Sequence, residues 1–176
     1  MIFTDVSNQS MIDEARDKTQ SQGGYVVCLC EADEKGIPKF PRYNILSWSS
    51  KKIRRTCRSS FAAEAIAASD AADIALYRKE LLEEMRGREV PKAYLATDSL
   101  NVRDAVITLG NHTAEKRLRV DLYALKENMR NDGLGLLWID GTQNISDSMT
   151  KPKGPSACPL TKAPLEEKLP FDTLMA

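Results

Sequence analysis

Eight alanines fall between positions 62 and 75, in the run FAAEAIAASDAADIA, directly behind the serine pair Ser59 and Ser60. Alanine loses least on entering a helix and serine is a good N-cap, so the run predicts a long helix starting at one of these serines and ending near Gly87. Side chains this small leave a thin layer. Small residues on several faces let the helix lie close against a sheet, and the flanking sequence supplies one. IFTDV at positions 2–6, GGYVVCLCEA at 23–32 and YNILSWS at 43–49 are strand-like, with a polar, turn-rich stretch at 7–23 and the turn KGIPKFP between the last two. Three strands in succession predict an antiparallel meander with the alanine-rich helix across one face.

Beyond that helix, KAYLATDS at 92–99 reads as a short strand ending in Asp98, and LNVRDAVITL at 100–109 as a helix closed by Gly110 and Asn111. Leu118, Leu122, Leu125 and Met129 form the apolar stripe of an amphipathic helix within 114–130, stopped by Asn131-Asp132-Gly133. LGLLWID at 134–140 is a fifth strand, GTQN a turn, and ISDSMTK a short helix ended by Pro152. A strand after a long helix implies a parallel crossover. The expected fold is therefore α/β: a five-stranded mixed sheet, antiparallel over strands one to three, with parallel crossovers to strands four and five and helices on its faces. One domain spans 1–152, and 153–176 is a proline-containing flexible tail with at most one helical turn around LEEKL. The abrupt strand at position 2 suggests a piece of something longer.

With 42% hydrophobic residues among 176, the chain can bury a real core. Lys plus Arg and Asp plus Glu both number 25, so affinity for nucleic acid has to come from uneven placement of charge. Cys28, Cys30, Cys57 and Cys158 show no metal-finger spacing, and the N-terminus lacks a leader pattern, which suits reduced thiols in an intracellular protein. No apolar run approaches the roughly 20 residues that span a bilayer, so no membrane span is expected.

Four carboxylates sit at element ends: Asp5 in strand one, Glu64 in the first turn of the long helix, Asp98 after strand four and Asp147 at the start of the last helix. If strands one and four are neighbours, all four converge. Singly, each has an ordinary explanation, since the helix dipole favours Glu64 and Asp98 can cap the next helix. Together they would repel one another unless a cation neutralised them, and oxygen donors without Cys or His suit a hard divalent ion such as Mg²⁺ or Mn²⁺.

FTDVS with Asp5, the run SWSSKKIRRTCRSSFAAEAIA, LATDS followed by EKRLRVDLYALKE, and NISDSMTKP, in this order over positions 3–153, resemble the ribonuclease H domain at the end of copia-type retrotransposon polyproteins. The resemblance implies a ribonuclease H-like fold and an endonuclease that cuts the RNA strand of RNA/DNA hybrids with two Mg²⁺ ions, Mn²⁺ being the alternative. Asp5 would bridge the ions, Asp147 would hold the one that activates water, and Glu64 with Asp98 the one on the leaving-group side. It further implies a partner, the reverse transcriptase polymerase domain of the same polyprotein, and a place in a cytoplasmic virus-like particle or the nucleus. The rival readings are a domain of the same fold that binds nucleic acid with little or no cutting, and an exonuclease or integrase-type member of the wider fold.

Lys51, Lys52, Arg54, Arg55 and Arg58 lead straight toward Glu64 and are candidates for phosphate contact, against the plainer reading of a solvated loop. Lys116 and Arg119, with Lys126 and Arg130, either track the DNA strand or form a solvated face. Ser7, Ser99 and Asn101 are candidates for a ribose 2′-hydroxyl. Trp48 and Trp138 are expected in the core, the other reading being that an aromatic stacks on bases or sugars. Many cellular ribonucleases H carry a histidine in the loop before the last metal-binding Asp. Here that loop is GTQNIS, the sole histidine is His112, and Gln143 or Asn144 is the available substitute.

Overall fold

The computed structural model describes residues 1–13, 18–108 and 115–151. Strands β1 (Ile2–Asp13), β2 (Lys18–Ala32) and β3 (Pro38–Lys52) pair antiparallel in chain order. Helix α1 (Ser60–Arg86) carries the chain to β4 (Tyr94–Thr97), which lies parallel to β1. Helices α2 (Leu100–Ile107) and α3 (Lys116–Asn131) lead to β5 (Gly135–Trp138), parallel to β4. A 3₁₀ turn (Gly141–Gln143) and a single turn of helix, α4 (Asp147–Thr150), follow. The strand order β3-β2-β1-β4-β5 puts β1 in the centre of the expected mixed sheet.

The first hairpin is longer than its side chains suggest. Positions 7–23, expected as a polar turn, belong mostly to strands: Met11 pairs with Gln20 and Asp13 with Lys18, after an irregularity between Ser7 and Met11. Backbone ladder bonds, once registered by the apolar residues behind them, carry a strand through polar sequence that propensity alone would assign to a loop.

Side chains alternate across the sheet. Ile2, Val27 and Leu95 share one cluster with α1, while Phe3, Val26, Cys28 and Ala96 share another on the opposite face. On the first face α1 is the middle layer, with Ala68, Ala71 and Ala72 at 0% exposure between the sheet and the Leu118, Leu122 and Leu125 stripe of α3. Alanine permits this close approach on two sides, and each fully buried leucine of the stripe contributes on the order of 2 kcal/mol. Ser59 is the N-cap, accepting from the Ala62 amide at 3.1 Å, so Ser60 becomes the first helical residue. Gly87 at φ 63° and Gly133 at φ 67° stop α1 and α3 in the left-handed region. Helix α2 ends at Ile107 with Thr108 as its cap, so Gly110, Asn111 and His112 lie outside the described residues, as do Cys158 and the expected 153–176 tail.

The second face is covered by Ile139, Ile145 and α4. Gly24 makes room for α4: a Cβ there would stand 2.6 Å from Met149 Cβ and 2.9 Å from Thr150 Cγ2. The two tryptophans depart from expectation. Trp48 is 66% and Trp138 45% exposed, because β3 and β5 are the two edge strands and lack a neighbour to bury them. No described helix is long and apolar enough to cross a membrane.

Gly24→Ala is expected to lift α4 off the sheet and lower stability by about 1–3 kcal/mol in urea unfolding. Gly23→Ala is the control and should be tolerated, since its Cβ would meet Ile53 Cγ1 at an ordinary 3.4 Å.

Candidate active site

The parallel pairing of β1 with β4 (Ile2 with Leu95, Phe3 with Ala96) brings Asp5 and Asp98 level at the same end of the sheet. Asp5 is 8% exposed and projects to the face on which Phe3 and α4 pack. Glu64 arrives from α1, and Asp147 opens α4. Two ordinary explanations fall away. Glu64 lies in the second turn of α1, not the first, beyond the reach of a dipole argument. Asp98 does not cap α2; Ser99 does, accepting from the Val102 amide at 3.3 Å.

Each of the four carboxylates holds at least one protein donor. The Thr150 hydroxyl donates to Asp5, the Ser99 hydroxyl to Glu64, the Asn144 amide to Asp98 and the Lys151 ammonium to Asp147. Burial pushes the Asp5 carboxyl above its ordinary range, with the charges of Asp98 and Asp147 adding to the push and the Thr150 bond opposing it. Burial likewise raises Asp98; the bonds from its own amide and Asn144 oppose this, and Glu64 reinforces it. Burial works against the Lys151 ammonium, yet its bond to Asp147 and the fields of Asp5, Asp147 and Asp98 prevail and raise its pKa. The four carboxylates and Lys151 therefore share one electrostatic neighbourhood.

Sequence reasoning missed these donors, because side chains as common as Thr, Ser and Lys carry no signal until the fold aims them. Asn144 is the clearest case. It is 0% exposed; its amide donates to Thr4 O at 3.0 Å, and its oxygen accepts from Ser146 N at 3.2 Å and Ser146 Oγ at 2.6 Å. It ties the loop before Asp147 to β1, so it cannot also serve as a mobile substitute for the missing histidine. Stripping such a side chain leaves buried partners unpaired at about 1–3 kcal/mol. Gln143, the other residue considered for that role, is exposed on the 3₁₀ turn.

The donor set is all oxygen, and two of its members are strained by burial and like charge, which is the chemistry a hard divalent cation relieves. Among the described residues, no three Asp, Glu, His or Cys side chains form a group able to hold a metal ion as they stand. Thr150 and Ser99 each bond one oxygen of their carboxylate, Asp5 Oδ2 and Glu64 Oε2, so either acid can keep its donor and still offer the other oxygen to a cation.

The basic loop is partly spoken for. Lys51, Lys52, Arg54 and Arg55 line a groove of about 610 Å³ with Ile66, Asp70 and Asp73 of α1. Arg55 pairs with Asp121 of α3 at 2.9 Å, while Arg58 is exposed. On α3, Lys116 is exposed and Arg119 half-buried. Ser7 is half-buried opposite Gln22, and Asn101 lines a shallow 400 Å³ cleft with Phe61 and Asp104. Ser99 spends its one donor on Glu64, which leaves it only as an acceptor toward any 2′-hydroxyl.

No family model and no curated protein matches this sequence. Solved structures do. The ribonuclease H1 of the halophilic archaeon Halobacterium salinarum superposes with a TM-score of 0.57 at 16% identity, over 85% of this chain and 92% of that one. The fold is that of ribonuclease H. A ribonuclease H1 isolated from compost by a metagenomic approach, LC11, gives 0.56 at 20% identity over 85% and 90% of the two chains. The same enzyme in complex with an RNA/DNA hybrid gives 0.50 at 20% identity, over 85% and 91%. In this ribonuclease H fold, the site described above lies where the central parallel strands end.

The Asp5 carboxyl sits above 3.8 in the folded chain, so the proton favours the folded state. The contribution of Asp5 to the stability of the metal-free protein should fall as pH rises from 3.8 through the raised value, then level off. Asp5→Asn is expected to shrink that slope and raise the melting temperature at neutral pH by a few degrees in chelator; an unchanged pH profile would contradict the burial assigned to Asp5.

Proposed function

We propose that this chain is a Mg²⁺-dependent endonuclease that hydrolyses the RNA strand of RNA/DNA hybrids, acting in the reverse transcription of a copia-type retroelement beside the polymerase domain of the same polyprotein. The observation that carries the reading is the four-carboxylate cluster, with two members raised in pKa, at the strand ends of a ribonuclease H fold. A fold neighbour solved with an RNA/DNA hybrid supports the substrate. A virus-like particle, or the nucleus, is the corresponding location.

Asp5, Glu64, Asp98 and Asp147 would hold two Mg²⁺, or Mn²⁺, which when bound lower the pKa of an attacking water and offset charge on the departing 3′ oxygen. Asp5 would be shared by both ions, Asp147 would serve the water side, and Glu64 with Asp98 the leaving-group side. The chain's own part is positioning and charge: phosphoryl transfer needs no nucleophilic Ser or Cys. Thr150 and Ser99 orient Asp5 and Glu64; Asn144, itself bonded to Thr4 of β1, donates to Asp98; and Lys151 supplies positive charge to the cluster. Lys51, Lys52, Arg54 and Arg58 meet backbone phosphates, Arg55 contributing less because Asp121 holds it. Lys116 and Arg119 follow the DNA strand; Ser7, Ser99 and Asn101 approach the ribose hydroxyls. Without the loop histidine, product release is slower.

A second reading, a domain of this fold that grips nucleic acid without cutting, is favoured by one observation: no described trio of donors is poised for a metal ion. Labelled hybrid incubated with Mg²⁺, and in parallel with chelator, separates the two. Metal-dependent cleavage is expected, and Asp98→Asn should abolish it while keeping a cooperative unfolding transition; cleavage by that variant at the wild-type rate refutes the assignment.

Hybrid binding should fall steeply with salt, by roughly 0.7–0.9 log units per log of salt for each phosphate met. Arg58→Ala should flatten that slope by about one contact, and Arg55→Ala by less. A binding constant insensitive to salt would remove the phosphate role.

A further inference from the structure

Trp138 is the one described tryptophan with a hydrogen bond to the backbone of a candidate site residue, Asp98. Its indole N–H donates to the backbone oxygen of Asp98 at 3.1 Å, and the residue is still 45% exposed. The backbone beneath it is held as firmly: Trp138 pairs with Thr97 across the two parallel strands, and the Ile139 amide donates to Thr97 O at 3.0 Å. Ile139 itself is 8% exposed and packs with Phe3, Val26 and Ala96, so the strand end cannot roll to bury the ring. The indole has one polar atom, and Asp98 uses it. What remains toward solvent is apolar ring, rigid and anchored to the residue proposed to hold metal on the leaving-group side.

Resting on the hybrid-nuclease reading, we propose that Trp138 is a positioning residue whose exposed face packs on the sugar of a nucleotide beside the scissile phosphate. The sugar is chosen over the base for a physical reason. In a paired hybrid both faces of each base are covered by stacked neighbours, whereas the sugars line the groove and offer C–H edges to an aromatic surface. Contact of this kind is blind to base identity and sets the strand's register over Asp98.

The test uses the full chain. In a Trp48→Phe background Trp138 is the sole tryptophan, because the sequence has two. With chelator present to prevent cutting, hybrid binding is followed by anisotropy of a labelled hybrid and, in parallel, by Trp138 emission. A change in emission with the same midpoint as the anisotropy is expected. With Mg²⁺, Trp138→Leu should raise KM about tenfold with a much smaller change in kcat, and Trp138→Phe should recover most of the loss. Phenylalanine keeps the face and lacks the N–H. Recovery by Phe therefore supports packing on the sugar, whereas a Phe variant as impaired as Leu, or a loss confined to kcat, would assign Trp138 only the structural bond to Asp98 and overturn the proposal. Binding by anisotropy with unchanged Trp138 emission overturns it too and leaves the hybrid reading standing. Absence of any binding or cleavage overturns both.

Discussion

Burial of the Asp5 carboxylate on the central strand is the constraint around which the rest of the structure is arranged. A charge at 8% exposure is costly unless it is hydrogen-bonded or neutralised, and Asp98 and Asp147 add their repulsion. Thr150 and Lys151 reach this corner only because α4 packs down on Gly24, whose missing side chain lets the helix approach the sheet. The loop leading into α4 is pinned in turn by the buried Asn144, which bonds to the strand carrying Asp5. Close packing and charge compensation are thus one problem with one solution on this face.

The opposite face does the supporting work. Helix α1 sits between the sheet and α3 because alanine lets both approach, and this places its second turn, with Glu64, beside Ser99. Ser99 serves two elements, since its oxygen caps α2 and its proton goes to Glu64. Rigid supports of this kind hold like charges together at the expense of stability, which is the usual signature of a site kept for function.

Much was legible in the residues. Alanine content with a serine cap located α1, the Leu118, Leu122 and Leu125 stripe located α3, and Gly87 and Gly133 marked the stops, because each signal is local and rests on helix period or backbone freedom. The length of the first hairpin was not, since ladder bonds between Asp13 and Lys18 depend on a partner distant in sequence and owe nothing to side-chain hydrophobicity. The tryptophans were misplaced for a related reason: strand-like surroundings say that a residue lies in a sheet, but not that its strand lies at the edge. Within the site the four acids were legible by type and order. Their donors Thr150, Ser99, Asn144 and Lys151 were not, because only the fold brings those side chains to the acids.

By itself, the sequence determined where the helices and the apolar parts of the strands lie and, through their order, the mixed character of the sheet, because periodicity and capping act over a few neighbouring residues. Only the tertiary structure decided which strands are edges, which donor each carboxylate takes, and that the indole of Trp138 is pinned to Asp98 with its ring half in solvent. Those outcomes depend on contacts between residues tens of positions apart, where packing and electrostatic fields are set by the whole fold.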